Sequence, residues 1–92
     1  MNGKEIVSIY IWNNGTFVSC NWLIITLVFD DLINVARFYY EIGVYNVNDG
    51  FKSVANGNEV LTGDDYETWG ESQNINDEAY ILIAEKLNLQ IV

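Results

Sequence analysis

Ninety-two residues, 50% hydrophobic and 14% aromatic, make one domain with a core and exclude a disordered acidic tail. Thirteen Asp and Glu stand against four Lys and Arg, a formal charge of −9, which excludes electrostatic attachment to nucleic acid or an anionic membrane. A single cysteine and no histidine exclude an internal disulfide, a cysteine-based zinc site and histidine-centred catalysis.

The charge is uneven. Residues 1–48 carry four acids and two bases, whereas residues 49–92 carry nine and two. Seven acids and no base fall between Glu59 and Glu78. Such a surface favours basic proteins or cations as partners, and it also keeps an apolar chain soluble.

Glu5 to Trp12 is rich in β-branched and aromatic residues and is expected to be a strand. Asn13-Asn14-Gly15-Thr16 follows, and Asn-Gly between two such runs predicts a hairpin. The Asn14-Gly-Thr sequon is read as turn chemistry. Phe17 to Phe29 is a long second strand. Its even positions are nearly all apolar, and its odd positions become so at Leu23, Ile25, Leu27 and Phe29. The first half is therefore expected to be half-exposed and the second half covered on both faces. Cys20, among Val18, Trp22 and Ile24, is expected to be a small core residue rather than a reactive thiol.

Asp30-Asp31 marks a turn. From Val35 to Val47, Ala36, Phe38, Tyr40, Ile42 and Val44 form a core face. Arg37, Tyr39, Glu41, Gly43 and Tyr45 form an amphipathic one. A loop is expected at Asn46 to Gly50, a short strand at Phe51 to Ala55, a turn at Asn56-Gly57 and a last short strand at Asn58 to Leu61.

The pattern changes at Thr62. Thr62-Gly-Asp-Asp65 resembles a capping box, and Asp64 and Asp65 complement a helix N-terminus. Tyr66 and Trp69 share a face of this short helix, and Gly70 is expected to stop it. Asn76 is expected to cap a second helix, with Ile75 stapled onto Tyr80 and Ala79, Tyr80, Ile83, Ala84 and Leu87 as its apolar stripe. Asn88 is a left-handed stop, and Leu89 to Val92 a terminal strand or a tail docked on the sheet.

The expected fold is α+β: an antiparallel β-meander of about five strands with two C-terminal helices packed on one side. Residues 1–92 form a single domain, with a β-sheet part at 1–61 and an acidic helical part at 62–92.

The surroundings of Lys4 and Glu5 alternate apolar with polar residues and do not resemble a signal peptide. The longest apolar run, Trp22 to Phe29, is interrupted by Thr26 and falls short of the ~20 residues of a spanning helix. The host cytoplasm or a virion is the expected location, with no membrane partner.

Catalytic, cofactor and metal sites are not expected. Asp64, Asp65 and Glu67 beside Tyr66 and Trp69 have the composition of a glycosidase-like carboxylate pair, but adjacent helical residues do not face each other. Asn46-Val47-Asn48-Asp49-Gly50 places oxygen ligands before a glycine, yet at the wrong spacing for an EF-hand loop. Lys4, Arg37, Lys52 and Lys86 are scattered, so direct nucleic-acid binding is not expected.

Two surfaces remain. Glu59, Asp64, Asp65, Glu67, Glu71, Asp77 and Glu78 are a candidate acidic interaction surface. Trp12, beside a turn, with Tyr39 and Tyr45 on the amphipathic strand face, are a candidate aromatic interface.

The C-terminal third, LTGDDYETWG followed by NDEAYILIAEKLNLQIV, is similar to the ends of small acidic proteins encoded by tailed bacteriophages. The shared features are a Leu-Thr-Gly step, a Tyr three residues before a Trp and a short helix ending in Leu-x-Leu. This resemblance implies a phage context and a non-enzymatic role, and carries no site residue over.

Two functions are therefore expected. The first is a structural or assembly protein of a phage particle, with virion subunits or further copies of itself as partners. The alternative is an acidic nucleic-acid mimic that inhibits a basic nucleic-acid-binding host protein, as anti-restriction and anti-CRISPR proteins do.

Overall fold

The computed structural model describes residues 3–92 of the protein. Four strands, β1 (Lys4–Asn13), β2 (Thr16–Asp30), β3 (Val35–Asn46) and β4 (Gly50–Thr62), precede two helices, α1 (Gly63–Glu71) and α2 (Ile75–Lys86). The strands pair antiparallel in chain order, so the sheet is a meander. The helices pack on one of its faces, which makes the class α+β.

The turns follow local chemistry. Asn14 and Gly15 both take positive φ, 51° and 84°, as a type I′ hairpin requires. Between β2 and β3, Asp31 Oδ1 accepts from the amides of Ile33, Asn34 and Val35 at 2.8–2.9 Å. The bonds from Val35 and Ile33 hold this carboxyl below its ordinary range. Between β3 and β4, Asn46 Oδ1 accepts from the amides of Asn48 and Asp49.

The sheet has four strands, not five, because Asn56-Gly57 does not turn. Both residues lie inside β4, opposite Glu41 and Tyr40. The glycine is there for a close neighbour: a Cβ at Gly57 would meet the Tyr40 hydroxyl at 2.7 Å.

Two apolar clusters join sheet to helices. Ala36, Phe38 and Leu61 pack with Trp69 of α1 and with Ala79, Leu82 and Ile83 of α2. Ile6, Cys20, Leu23 and Ile42 pack with Tyr80 and Ala84. Cys20 is fully buried, and burial pushes its thiol pKa up.

The helix ends differ from expectation. Thr62 stands at the N-cap of α1 but its side chain makes no cap bond, so no capping box forms. Asp65 instead pairs with Lys86 at 3.2 Å and ties α1 to α2. Gly70 lies inside α1, which ends one residue later. Asn74, not Asn76, caps α2: its side chain accepts from the Asp77 amide, and its Nδ2 donates to Asp77 Oδ2 at 2.9 Å. Ile75 thereby becomes the first helical residue. It lines a groove with Trp69 and Ala79, while Tyr80 is buried in the other cluster.

Asn88 takes φ 58° just after α2. The tail then docks on β1, with the Val7 amide donating to Gln90 O at 2.7 Å and the Val92 amide to Glu5 O at 3.0 Å.

One difference matters for function. Leu27, Val28 and Phe29, expected to be covered, are 47%, 58% and 52% exposed. The helices cover only one face of the sheet, and among the described residues the pairing of β1 with β2 reaches only Lys4 opposite Leu23, so Ile24 to Asp30 have no described strand on that side.

Candidate functional site

From Ile24 to Asp30, β2 has β3 on one side and, among the described residues, no strand on the other. On the side away from β3, the Ile25 amide donates to the Tyr80 hydroxyl at 3.2 Å. A side chain from α2 thus stands where the carbonyl of a next strand would be. The alternation of an antiparallel ladder turns the N–H and C=O of Leu27 to the same outer side. Among the described residues no strand pairs with that side.

Beside this edge runs a mainly apolar groove of about 130 Å³, lined by Ile25, Leu27, Phe38, Trp69, Ile75 and Ala79 and by the polar Asn76. Its volume approaches the ~150 Å³ of an apolar cavity that takes a benzene, so one apolar side chain fits. The apolar surface continues into the β2–β3 loop, where Leu32 and Ile33 are 82% and 78% exposed. Leu32 also takes φ 62°, a left-handed conformation that a branched side chain adopts at a cost. Sequence reasoning missed this surface. Its signal was present: Trp22 to Phe29 has no charge and is apolar at both parities. What the pattern could not show is which of its two faces the helices would cover.

The aromatic candidates are not brought together. Trp12 is exposed at the hairpin tip, edge-on to Phe17 with ring centroids 5.0 Å apart. Tyr39 lies between Thr26 and Asn58 on the sheet, half-buried. Its hydroxyl is pushed up by desolvation first and then by Glu41. Tyr45 packs on Trp22 at 4.6 Å, where the Asn21 side chain bonds both the amide and the carbonyl of Tyr45. Among the described residues no ring contact joins Trp12, Tyr39 and Tyr45.

The acidic candidates divide three ways. Asp64, Glu67 and Glu71 are all exposed and recur along one face of α1, a row of roughly 10 Å. Asp65 and Asp77 are engaged, Asp65 with Lys86 and Asp77 with Lys4 at 2.7 Å. Glu59, in β4 opposite Phe38, and Glu78, in the first turn of α2, are half-buried. Near the end of β2, the Tyr66 hydroxyl donates to Asp30 Oδ1 at 2.7 Å. That bond, then desolvation and the charges of Asp30 and Asp31, push the phenol up to about 12.

Among the described residues no three Cys, Asp or Glu side chains converge as metal ligands would. None of their helices is long and apolar enough to cross a membrane. No protein-family model, curated protein or solved structure matches the chain. The functional reading therefore rests on the surfaces themselves.

Proposed function

We propose that this chain is a non-enzymatic protein-interaction module, a structural or assembly protein of a bacteriophage particle, which binds neighbouring subunits through the uncovered end of β2. One observation carries the reading: Leu27, Val28 and Phe29 are exposed on a strand whose outer side meets no other strand among the described residues. A long apolar edge invites aggregation unless it is covered, and strand addition is how proteins use one. The phage setting comes from the resemblance of residues 61–92. Partners are virion subunits or further copies of the chain, in the virion or in the host cytoplasm where virions are built. No cofactor is needed.

Capture from phage-infected lysate tests it. The tagged chain should retain virion proteins through a wash at about 1 M salt, because apolar strand contacts are not screened. Leu27→Lys, which puts an unpaired charge on the edge, should lose them. Retention of no virion protein, or equal retention by the variant, contradicts the reading.

The row Asp64, Glu67 and Glu71 favours a second reading, a nucleic-acid mimic of the anti-restriction or anti-CRISPR type. None of the three forms an ion pair among the described residues. In this reading they stand where phosphates stand against Arg and Lys of a host protein. Its complex should dissociate steeply as salt rises, and replacing all three with Lys should abolish it. Binding that survives both excludes the mimic.

A further inference from the structure

We infer that the sheet is jointed: the side chain of Asn21 is a strut between two hairpin arms, and it fixes the angle at which the exposed aromatic tip of the first arm is held. The inference is independent of the Leu27 surface, which lies toward the other end of β2.

The joint is written in the strand register. Pairing of β2 with β3 ends at Trp22 opposite Gly43. Past that level β1 and β2 continue as one two-stranded arm, to Asn13 opposite Thr16, and β3 and β4 as another, to Asn46 opposite Gly50. Two breaks in register fall at the same level. Ile6, Val7 and Ser8 of β1 pass the single residue Asn21 of β2, and Val54 of β4 is the extra residue beside the step from Ile42 to Gly43. Trp22 marks the line, since it pairs with Glu5 on one side and Gly43 on the other. Cys20 and Leu23, three residues apart, are both fully buried in one cluster, so β2 itself turns over between them. Bulges bend strands and re-aim what lies beyond them, and here they are aligned across the sheet.

Asn21 bridges the gap where the ladder is missing. Its Oδ1 accepts from the Tyr45 amide at 3.0 Å, and its Nδ2 donates to the Tyr45 carbonyl at 3.3 Å. One carboxamide thus supplies both bonds that a paired strand residue would give Tyr45. Ile9 to Cys20 contains no charged residue, so no ion pair can replace the strut.

On the other side of the line the sheet is held firmly. The Val7 amide donates to Gln90 O, and Ile6, Leu23 and Ile42 pack with Tyr80 and Ala84. Ile9, Ile11 and Val18 touch the same cluster, so one face of the arm is seated and the strut sets its position within the plane of the sheet. At the tip, Tyr10, Trp12 and Phe17 are exposed, and the angle of the arm decides where they point.

Amide exchange and nitrogen-15 relaxation of the full chain test the inference. In Asn21→Ala the Tyr45 amide should exchange at least about tenfold faster, and Ile9 to Cys20 should move as a unit in a way the wild type does not. Ala36 to Ile42, paired on both sides, should keep their protection. Asn21→Asp at pH 7 still accepts from the Tyr45 amide but cannot donate to its carbonyl, so its Tyr45 exchange should fall between the two. That variant carries the test if Asn21→Ala does not fold. Unchanged exchange at Tyr45, or an arm as still as in the wild type, overturns the inference. Equal acceleration at Tyr45 and at Ala36 to Ile42 also overturns it, because Asn21 would then hold the whole fold rather than the angle of one arm.

Discussion

At the residue scale, two glycines do different work from the turns that glycine usually signals. Gly57 makes room for Tyr40, and Gly43 for the backbone of β4: a Cβ there would run into the Lys52 carbonyl. A ring end can shift and a strand carbonyl cannot. Gly57→Ala should therefore cost about 1–3 kcal/mol, and Gly43→Ala more, as urea midpoints will show. Equal costs would contradict this account. Asp31 gives a pH prediction. Its carboxyl is lowered in the folded state by amide hydrogen bonds, so its stabilisation is present above the ordinary value of 3.8 and fades as pH falls below it. Wild type should exceed Asp31→Ala in stability at pH 7, and the gap should narrow below about pH 3.8. Tyr66 acts at the other extreme: raised from 10.0 to about 12, its contribution is complete below pH 10.0 and lost as pH climbs toward about 12. Tyr66→Phe should therefore fall behind wild type at pH 9 and draw level in strong alkali.

At the element scale, what was legible in the sequence follows the strength of each local signal. The Asn14-Gly15 hairpin, the Asp31 turn, the left-handed Asn88 and the docked tail each came from chemistry within a few residues. The break expected at Asn56-Gly57 failed because the same glycine serves a positive φ or a close neighbour, and only the partner strand decides. Asn76 was expected to cap α2 because acids follow it, yet Asn74 reaches the Asp77 amide first. The acidic row on α1 was legible as composition, whereas the engagement of Asp65 and Asp77 depends on lysines brought in from α2 and β1. Trp69 of α1 and Ile83 of α2 both pack in the cluster that joins the helices to the sheet. Ile83 is fully buried, so Ile83→Ala should destabilise by about 2–5 kcal/mol in chemical unfolding. A loss under 1 kcal/mol would contradict the packing of α2 against the sheet.

At the scale of the whole molecule, the protein is elongated, 42 × 24 × 20 Å, and its two kinds of surface are separate. An acidic row lies on α1, and an apolar strand edge lies along β2. The two respond differently to salt: contacts through the acids weaken as ions screen them, while apolar contacts are not screened. The sequence pattern of β2 fits a strand covered on both faces, yet Leu27, Val28 and Phe29 are exposed. That mismatch is the central claim, and hydrogen exchange at the Leu27 amide tests it most directly. The account predicts rapid exchange in the free chain and strong protection once virion subunits bind the edge. Equal, rapid exchange in both states would contradict it.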